Sequence, residues 1–275
     1  MDYSAENQES LNRVRDLLNP IDYNVVLIHS DIVEGFRFNN KLRKEELLQA
    51  HYSILKSIFP ETPIWMPTFN YSFPSTKEYD VNMTKSEVGV LTEYFRTKCA
   101  TWRSEVPVFS FAGEGVKPQI CEDGVIDAFG ANSIFEQLVK KDALIMLYGK
   151  GFESMTFLHH CEQMAAMPYR YFKNFKGKVF FDNIEREVTL KYFVRPLNKV
   201  MYCDVTKIEY DLGAEGLLQK TTPINTYLIK AKNLFEYLVY RMKKDPLYLL
   251  TKETQVWVEP MLQKLGRPFL ITDFE

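Results

Sequence analysis

From residue 24 onward the apolar positions alternate between short unbroken runs and longer stripes at helical spacing. Asn24 to His29 (NVVLIH), Pro63 to Pro67 (PIWMP) and Ala143 to Tyr148 (ALIMLY) are the unbroken runs. Runs of that length predict strands covered on both faces, as in α/β sheets. Arg43 to Phe59 instead carries Leu47, Leu48, Tyr52, Ile54, Leu55 and Ile58 along one helical side, with Pro60 as a stop. Val88 to Lys98 and Met155 to Ala166 suit further helices, the second following a strand and the turn Gly149-Lys150-Gly151. Thr68 to Asp80, rich in Tyr, Phe, Ser and Pro, reads as a site loop.

From about Lys178 the period shortens. Val188 to Val194 (VTLKYFV) and Met201 to Tyr210 alternate and predict antiparallel strands. Asn225 to Lys244 returns to helical spacing, ended by Asp245-Pro246. The expected fold is α/β: a three-layer α/β/α core around a central mixed, largely parallel sheet over about residues 20–177. A C-terminal antiparallel β and helical excursion, about 178–275, would shape the acceptor site. With no repeat and no Gly/Ser-rich linker, the 275 residues read as one domain.

Composition narrows the function. At 46% hydrophobic the chain can bury a full core. Its net charge of -2 gives no global field for nucleic acid or an anionic membrane, so neither is an expected partner. Asp2, Glu6, Glu9 and Asp16 spoil both a signal and a transit peptide, and no apolar run approaches bilayer length, so a cytoplasmic location is expected. Cys99, Cys121, Cys161 and Cys203 lie far apart with no CxxC, which argues against a disulfide framework and a metal site.

Four histidines carry the candidate chemistry. His51 lies mid-helix and reads as a packing or surface side chain, and His29 closes a buried strand, where a structural role and a ligand contact are equally compatible. His159 and Glu162 are three apart in Thr156-Phe157-Leu158-His159-His160-Cys161-Glu162, so a helix places them on one face. A carboxylate there fixes the imidazole tautomer and stabilises the imidazolium once a proton is taken. His160 projects about 100° away, and its substitution is expected to do little. Cys161 beside histidine has poor geometry for a nucleophile on a helix, and an inert buried thiol is the better reading. The 149–151 turn matches no phosphate loop. Arg170, Lys173, Lys176 and Lys178, interleaved with Tyr169, Tyr171, Phe172 and Phe175, suit either phosphate binding or a solvated charged face.

Taken in order, these segments resemble the aminoglycoside 3-N-acetyltransferase family, a CoA-dependent group unrelated in fold to the GNAT superfamily. The resemblance covers about residues 24–177. It is carried by Leu27-Ile28-His29-Ser30-Asp31 with Gly35, by Met66-Pro67-Thr68, and by Gly89, Glu93, Phe95 and Arg96. The string RSEVPVFSFAGEG from Arg103 to Gly115 follows the family pattern RSxHPxxSxxAxG at Arg103, Ser104, Pro107, Ser110 and Gly115, with Val106 replacing the histidine and Gly113 the alanine. Phe129-Gly130 with Ser133, then Thr156, Leu158, His159 and Glu162, complete the order.

The resemblance implies direct transfer from acyl-CoA to an amine in a ternary complex, with His159 and Glu162 as the catalytic base. It implies His29, Ser30, Asp31, Gly35, Arg103, Ser104 and Ser110 as cofactor contacts. Thr68, Asn70, Tyr71, Thr156, Tyr169, Arg170 and Lys173 are the implied acceptor contacts. Tyr169-Arg170-Tyr171-Phe172-Lys173-Asn174-Phe175 is similar to the branch serving surface-polysaccharide synthesis, whose acceptor is an amino sugar on a dTDP or UDP diphosphate. An aminoglycoside acceptor is the alternative, and a catalytically silent CoA- or sugar-binding module the second alternative. A homodimer is compatible with this reading.

Overall fold

The computed structural model describes residues 5–19, 21–38, 41–222 and 224–275. Helix α1 (Ala5–Leu18), strand β1 (Val26–Ser30), helix α2 (Lys44–Ile58) and strand β2 (Ile64–Pro67) open the chain. Within the expected site loop lie a short helix, α3 (Phe73–Thr76), and strand β3 (Glu78–Asp80). Helix α4 (Val90–Lys98), strands β4 (Trp102–Arg103), β5 (Phe111–Gly113) and β6 (Gly124–Asp127), and helix α5 (Ile134–Lys140) follow. Strand β7 (Leu144–Tyr148) and helix α6 (Phe157–Met164) lead to a long hairpin of β8 (Tyr171–Phe181) and β9 (Ile184–Val194). The last elements are helix α7 (Val205–Ala214), strands β10 (Gln219–Thr221) and β11 (Thr226–Lys230), and helices α8 (Ala231–Lys244) and α9 (Lys252–Leu265).

Seven strands form the central sheet in the order β10-β11-β7-β1-β2-β5-β4. The middle three, β7, β1 and β2, are parallel, and antiparallel strands extend both flanks. Alternation along β1 splits the interior in two: Val26 and Ile28 pack with α1, α2 and α4, whereas Leu27 faces α5, α6, α8 and the second sheet. That second sheet runs β3-β8-β9-β6 and seats Val179, Val188 and Leu190 in the same core. The architecture is therefore α/β with three layers and a mixed sheet, as the apolar runs predict.

Two C-terminal expectations fail. Met201 to Tyr210 is not a strand: Cys203 makes an isolated bridge to Leu250, and α7 starts at Val205, where the Asp204 side chain accepts the Lys207 N–H at 3.0 Å. Asn225 to Lys244 is not helical throughout, because Thr226–Lys230 is β11, paired antiparallel to β7 in the central sheet. Residue 177 lies inside β8, and the segment beyond it supplies β10 and β11 to one flank of the seven-stranded sheet, so the core does not close near that position.

Candidate active site

A cleft of about 490 Å³ opens at the carboxyl ends of the three parallel strands. His29 and Ser30 end β1 and pass into Asp31, Ile32 and Val33; Pro67, Phe69 and Tyr71 follow β2; Lys150, Glu153, Ser154 and Thr156 follow β7. In parallel α/β sheets such strand ends are where ligands bind, because the connecting segments diverge there. Glu87 to Leu91 close the remaining side. Asp31, Glu87 and Glu153 face one lysine, Lys150, so the lining is net negative.

Thr156 precedes α6, and the His159 N–H donates to its carbonyl at 3.0 Å. His159 thus stands one helical turn beyond the cleft wall, with its side chain 29% exposed. Its Nδ1 is 2.7 Å from Glu162 Oε2, and Glu162 is fully buried. Tyr169 Oη donates to Glu162 Oε1 at 3.0 Å, and Arg170 Nη2 reaches Oε2 at 2.8 Å. Phe129 packs edge-on against the imidazole at 5.5 Å between centroids.

The electrostatics assign the tautomer. Burial pushes the Glu162 carboxyl up, but Arg170 and the His159 bond outweigh it and hold it at about 2, so it is a carboxylate. A carboxylate only accepts, which puts the proton of His159 on Nδ1 and leaves the Nε2 lone pair free. Arg170 Nη2 lies 3.0 Å from that same Nδ1, but with Nδ1 protonated its hydrogen goes to Glu162 instead. The His159 pKa is lowered, first by burial and then by Arg170, against the opposing pull of Glu162. The ring is neutral at pH 7 and able to accept a proton.

The family model of aminoglycoside 3-N-acetyltransferases matches residues 55–243. The chain belongs to this family. It shares its fold with the aminoglycoside acetyltransferase AAC(3)-IVa, solved as the apoenzyme, at 18% identity and a TM-score of 0.66 over 94% of this chain and 96% of that one. AAC-IIIb, solved as a binary complex with CoASH, matches at 15% identity and a TM-score of 0.67 over 86% and 96%. YokD from Bacillus subtilis matches at 17% identity and a TM-score of 0.66 over 89% and 96%. As a member of the aminoglycoside 3-N-acetyltransferase family the chain is a CoA-dependent acetyltransferase. Within the cleft lining, His29 Nε2 and Ser30 Oγ are buried with no hydrogen-bond partner, and Lys150 lies 3.5 Å from Asp31.

Of the predicted cofactor residues, His29, Ser30 and Asp31 line this cleft and Gly35 lies behind it, where an added Cβ would fall 2.6 Å from Tyr148 Oη. Arg103, Ser104 and Ser110 do not reach it. Arg103 is 8% exposed and donates to the carbonyls of Val81, Thr84 and Thr68 and to the hydroxyls of Thr68 and Ser110. Ser104 Oγ accepts the Phe111 N–H, and Ser110 Oγ donates to the Thr68 carbonyl. With their polar groups occupied in the interior, these residues form a latch rather than a ligand surface. Between Ser104 and Ser110, Val108 takes φ 65, a rare conformation for a β-branched residue, and its carbonyl accepts the Asn70 N–H at 3.1 Å. Val106, in place of the family histidine, is simply buried at 5% exposure.

Among the predicted acceptor residues, Tyr71 and Thr156 line the cleft. Thr68 belongs to the latch, and Asn70 organises the loop by bonding the Lys85 carbonyl, Glu87 and Ser72. Tyr169 and Arg170 are buried and hold Glu162 instead of facing solvent. Lys173 pairs with Glu275, Lys178 pairs with Glu185, and Lys176 borders a separate groove on the second sheet. The basic cluster therefore splits up and forms no phosphate site. Glu87, Lys150 and Glu153 enter the cleft without having been anticipated; charge at the end of the third apolar run was the available signal for the last two. Cys161 is fully buried and its thiol is pushed well up by burial, which leaves it no thiolate character.

Proposed function

We propose that the protein transfers the acetyl group of acetyl-CoA to a primary amine of a polycationic, aminoglycoside-type amino sugar, with His159 as general base. The observation that carries this is His159, held by a buried carboxylate and one helical turn after Thr156 of a cleft lined by Asp31, Glu87 and Glu153. An amino sugar with several ammonium groups suits that lining.

CoA, when bound, supplies an activated thioester. An ammonium has no lone pair for attack, so the acceptor nitrogen first releases one proton to solvent; His159 Nε2 then takes a second from the attacking amine as the new N–C bond forms and the C–S bond breaks. Glu162 stabilises the imidazolium through Nδ1–H, and the ring then returns the proton to the departing sulfur. Such a base contributes about 10² to 10⁴ in rate. Neutral His29 and Ser30, the unpartnered groups of the cleft, would hold the acyl donor.

Incubating the protein with acetyl-CoA and a panel of aminoglycosides, while following free thiol, tests this. Thiol release that depends on the aminoglycoside and disappears in His159→Asn is expected; release that ignores the added amine would sink it.

A second reading, acylation of a nucleotide-linked amino sugar, is favoured by one residue. Arg195 is exposed, follows β9, and is among the charges that lower the His159 pKa. An exposed guanidinium whose charge is felt at the base suits a diphosphate. Turnover with dTDP- or UDP-linked amino sugars that falls in Arg195→Ala would select this reading.

A further inference from the structure

Behind the cleft lies a buried pair that the transfer chemistry does not use. Tyr148, the last residue of β7, is fully buried, and its hydroxyl lies 2.7 Å from His51 Nδ1 in the middle of α2. The same hydroxyl accepts the Phe36 N–H at 2.7 Å. His51 is 1% exposed, with Phe38 edge-on at 5.0 Å and Tyr148 at 5.8 Å between centroids. Burial lowers its pKa to about 4, so the ring stays neutral across the physiological range.

These contacts set the direction of every proton. Burial also pushes the Tyr148 phenol up, so it keeps its hydrogen. A phenol has one hydrogen to give, and it goes to His51 Nδ1, because the Phe36 N–H is itself a donor. The lone pairs of Oη are then turned toward Phe36. Removing either partner leaves the other side unpaired in a dry interior.

The segment held in this way is the cleft wall. Asp31, Ile32 and Val33 line the cleft, and the wall is fastened at both ends to the same strand end: the Asp31 N–H donates to the Tyr148 carbonyl at 2.8 Å, and the Phe36 N–H to the Tyr148 hydroxyl. The approach is close along its length. A Cβ at Gly35 would meet the Tyr148 hydroxyl at 2.6 Å, and one at Gly149, where φ is +62, would meet the Asp31 carbonyl at 2.2 Å.

We propose that His51 and Tyr148 are positioning residues that fix the 31–36 wall of the cleft and thereby set the affinity for CoA, without touching the reacting atoms. The part concerning CoA rests on the acetyltransferase reading of this cleft; the fastening of the wall does not.

The test uses the full chain and CoASH as probe. Tyr148→Phe and His51→Leu are expected to weaken CoASH binding, measured by titration calorimetry, at least fivefold, with kcat at saturating acetyl-CoA changed less than twofold. His51→Asn, whose side-chain oxygen can occupy the place of Nδ1, should restore binding to within twofold of the parent. Hydrogen exchange of the Phe36 amide reads the wall with no ligand present, and should quicken at least tenfold in Tyr148→Phe while β1 and β7 stay protected. Unchanged CoASH affinity in Tyr148→Phe, or His51→Asn as impaired as His51→Leu, overturns the proposal, as does unchanged Phe36 exchange. A parent protein that fails to bind CoASH at all sinks the acetyltransferase reading instead, and the Phe36 exchange still decides the fastening.

Discussion

Two adjacent histidines on α6 have opposite surroundings. His159 is part-exposed with its Nδ1 held by Glu162, whereas His160 is fully buried, bonds the Phe129 carbonyl at 2.6 Å and stacks on Phe235 at 5.1 Å between centroids. His159→Asn is expected to lower kcat at least about a hundredfold, the scale of a lost general base, with CoASH binding retained in calorimetry. His160→Ala, which sequence spacing alone marks as innocuous, is expected instead to cost about 1–3 kcal/mol of stability in denaturant unfolding. The carboxylate partner is testable through pH. Because His159 must be neutral to act, kcat/KM rises with pH through its pKa, which lies below the ordinary 6.5. Glu162→Gln removes the group that raises this pKa and leaves Arg170 unopposed, so the acid limb should move to lower pH while turnover slows. A pH profile superimposable on that of the parent would remove the orienting role of Glu162. The spacing of His159 and Glu162 was legible because it depends only on helix geometry. The roles of Tyr169 and Arg170 were not, since a string of cations and aromatics reads alike whether it faces a phosphate or a buried carboxylate.

At the level of elements, the strands covered on both faces were the most readable part. β2 and β7 fall within their apolar runs, β1 passes the end of its run by one residue, Ser30, and α2 falls within its stripe, because burial on both sides or along one side leaves a pattern that local sequence cannot hide. β11 was missed for a related reason: Thr226–Lys230 is five residues long and runs directly into α8, and so short an apolar stretch before a helix cannot be told from its first turn. The β8–β9 turn did carry a signal, Asp182-Asn183, whose positive φ values of 48 and 66 make the tight turn that suits a twisted hairpin. In the Arg103 latch, a motif that the family resemblance assigned to ligand binding is used to brace a loop. Arg103→Lys loses the planar fork and should destabilise the protein by about 3 kcal/mol or more in chemical denaturation, since several carbonyls lose their donor. If instead the variant keeps its stability and loses CoASH affinity, Arg103 belongs to the donor site after all.

For the molecule as a whole, the buried ionisable groups set the response to acid. His29 and His51 are both held at about 4 by burial, against an ordinary 6.5. The unfolded chain takes up protons on them between those values and the folded chain does not. Their stabilising contribution is therefore complete above pH 6.5 and shrinks as pH falls toward 4. Two such groups amount to a loss on the order of 3 kcal/mol between pH 6.5 and 5. Glu162, held at about 2 against 4.5, extends the loss from pH 4.5 downward. Urea midpoints taken from pH 7 to 5 should fall steadily, and a flat series would mean that the imidazoles are hydrated in the native state.

β11 sits between β7 and β10, so β7, whose far end frames the cleft, is flanked on that edge by a strand about eighty residues later in the chain. During synthesis at roughly 5–20 residues per second, that edge of β7 has no partner for several seconds after its own residues are made. Through that interval the nascent chain carries an open, apolar strand border of the kind that recruits other chains. Its yield in a cell should then depend on chaperones that shield emerging polypeptide more than its finished stability would suggest.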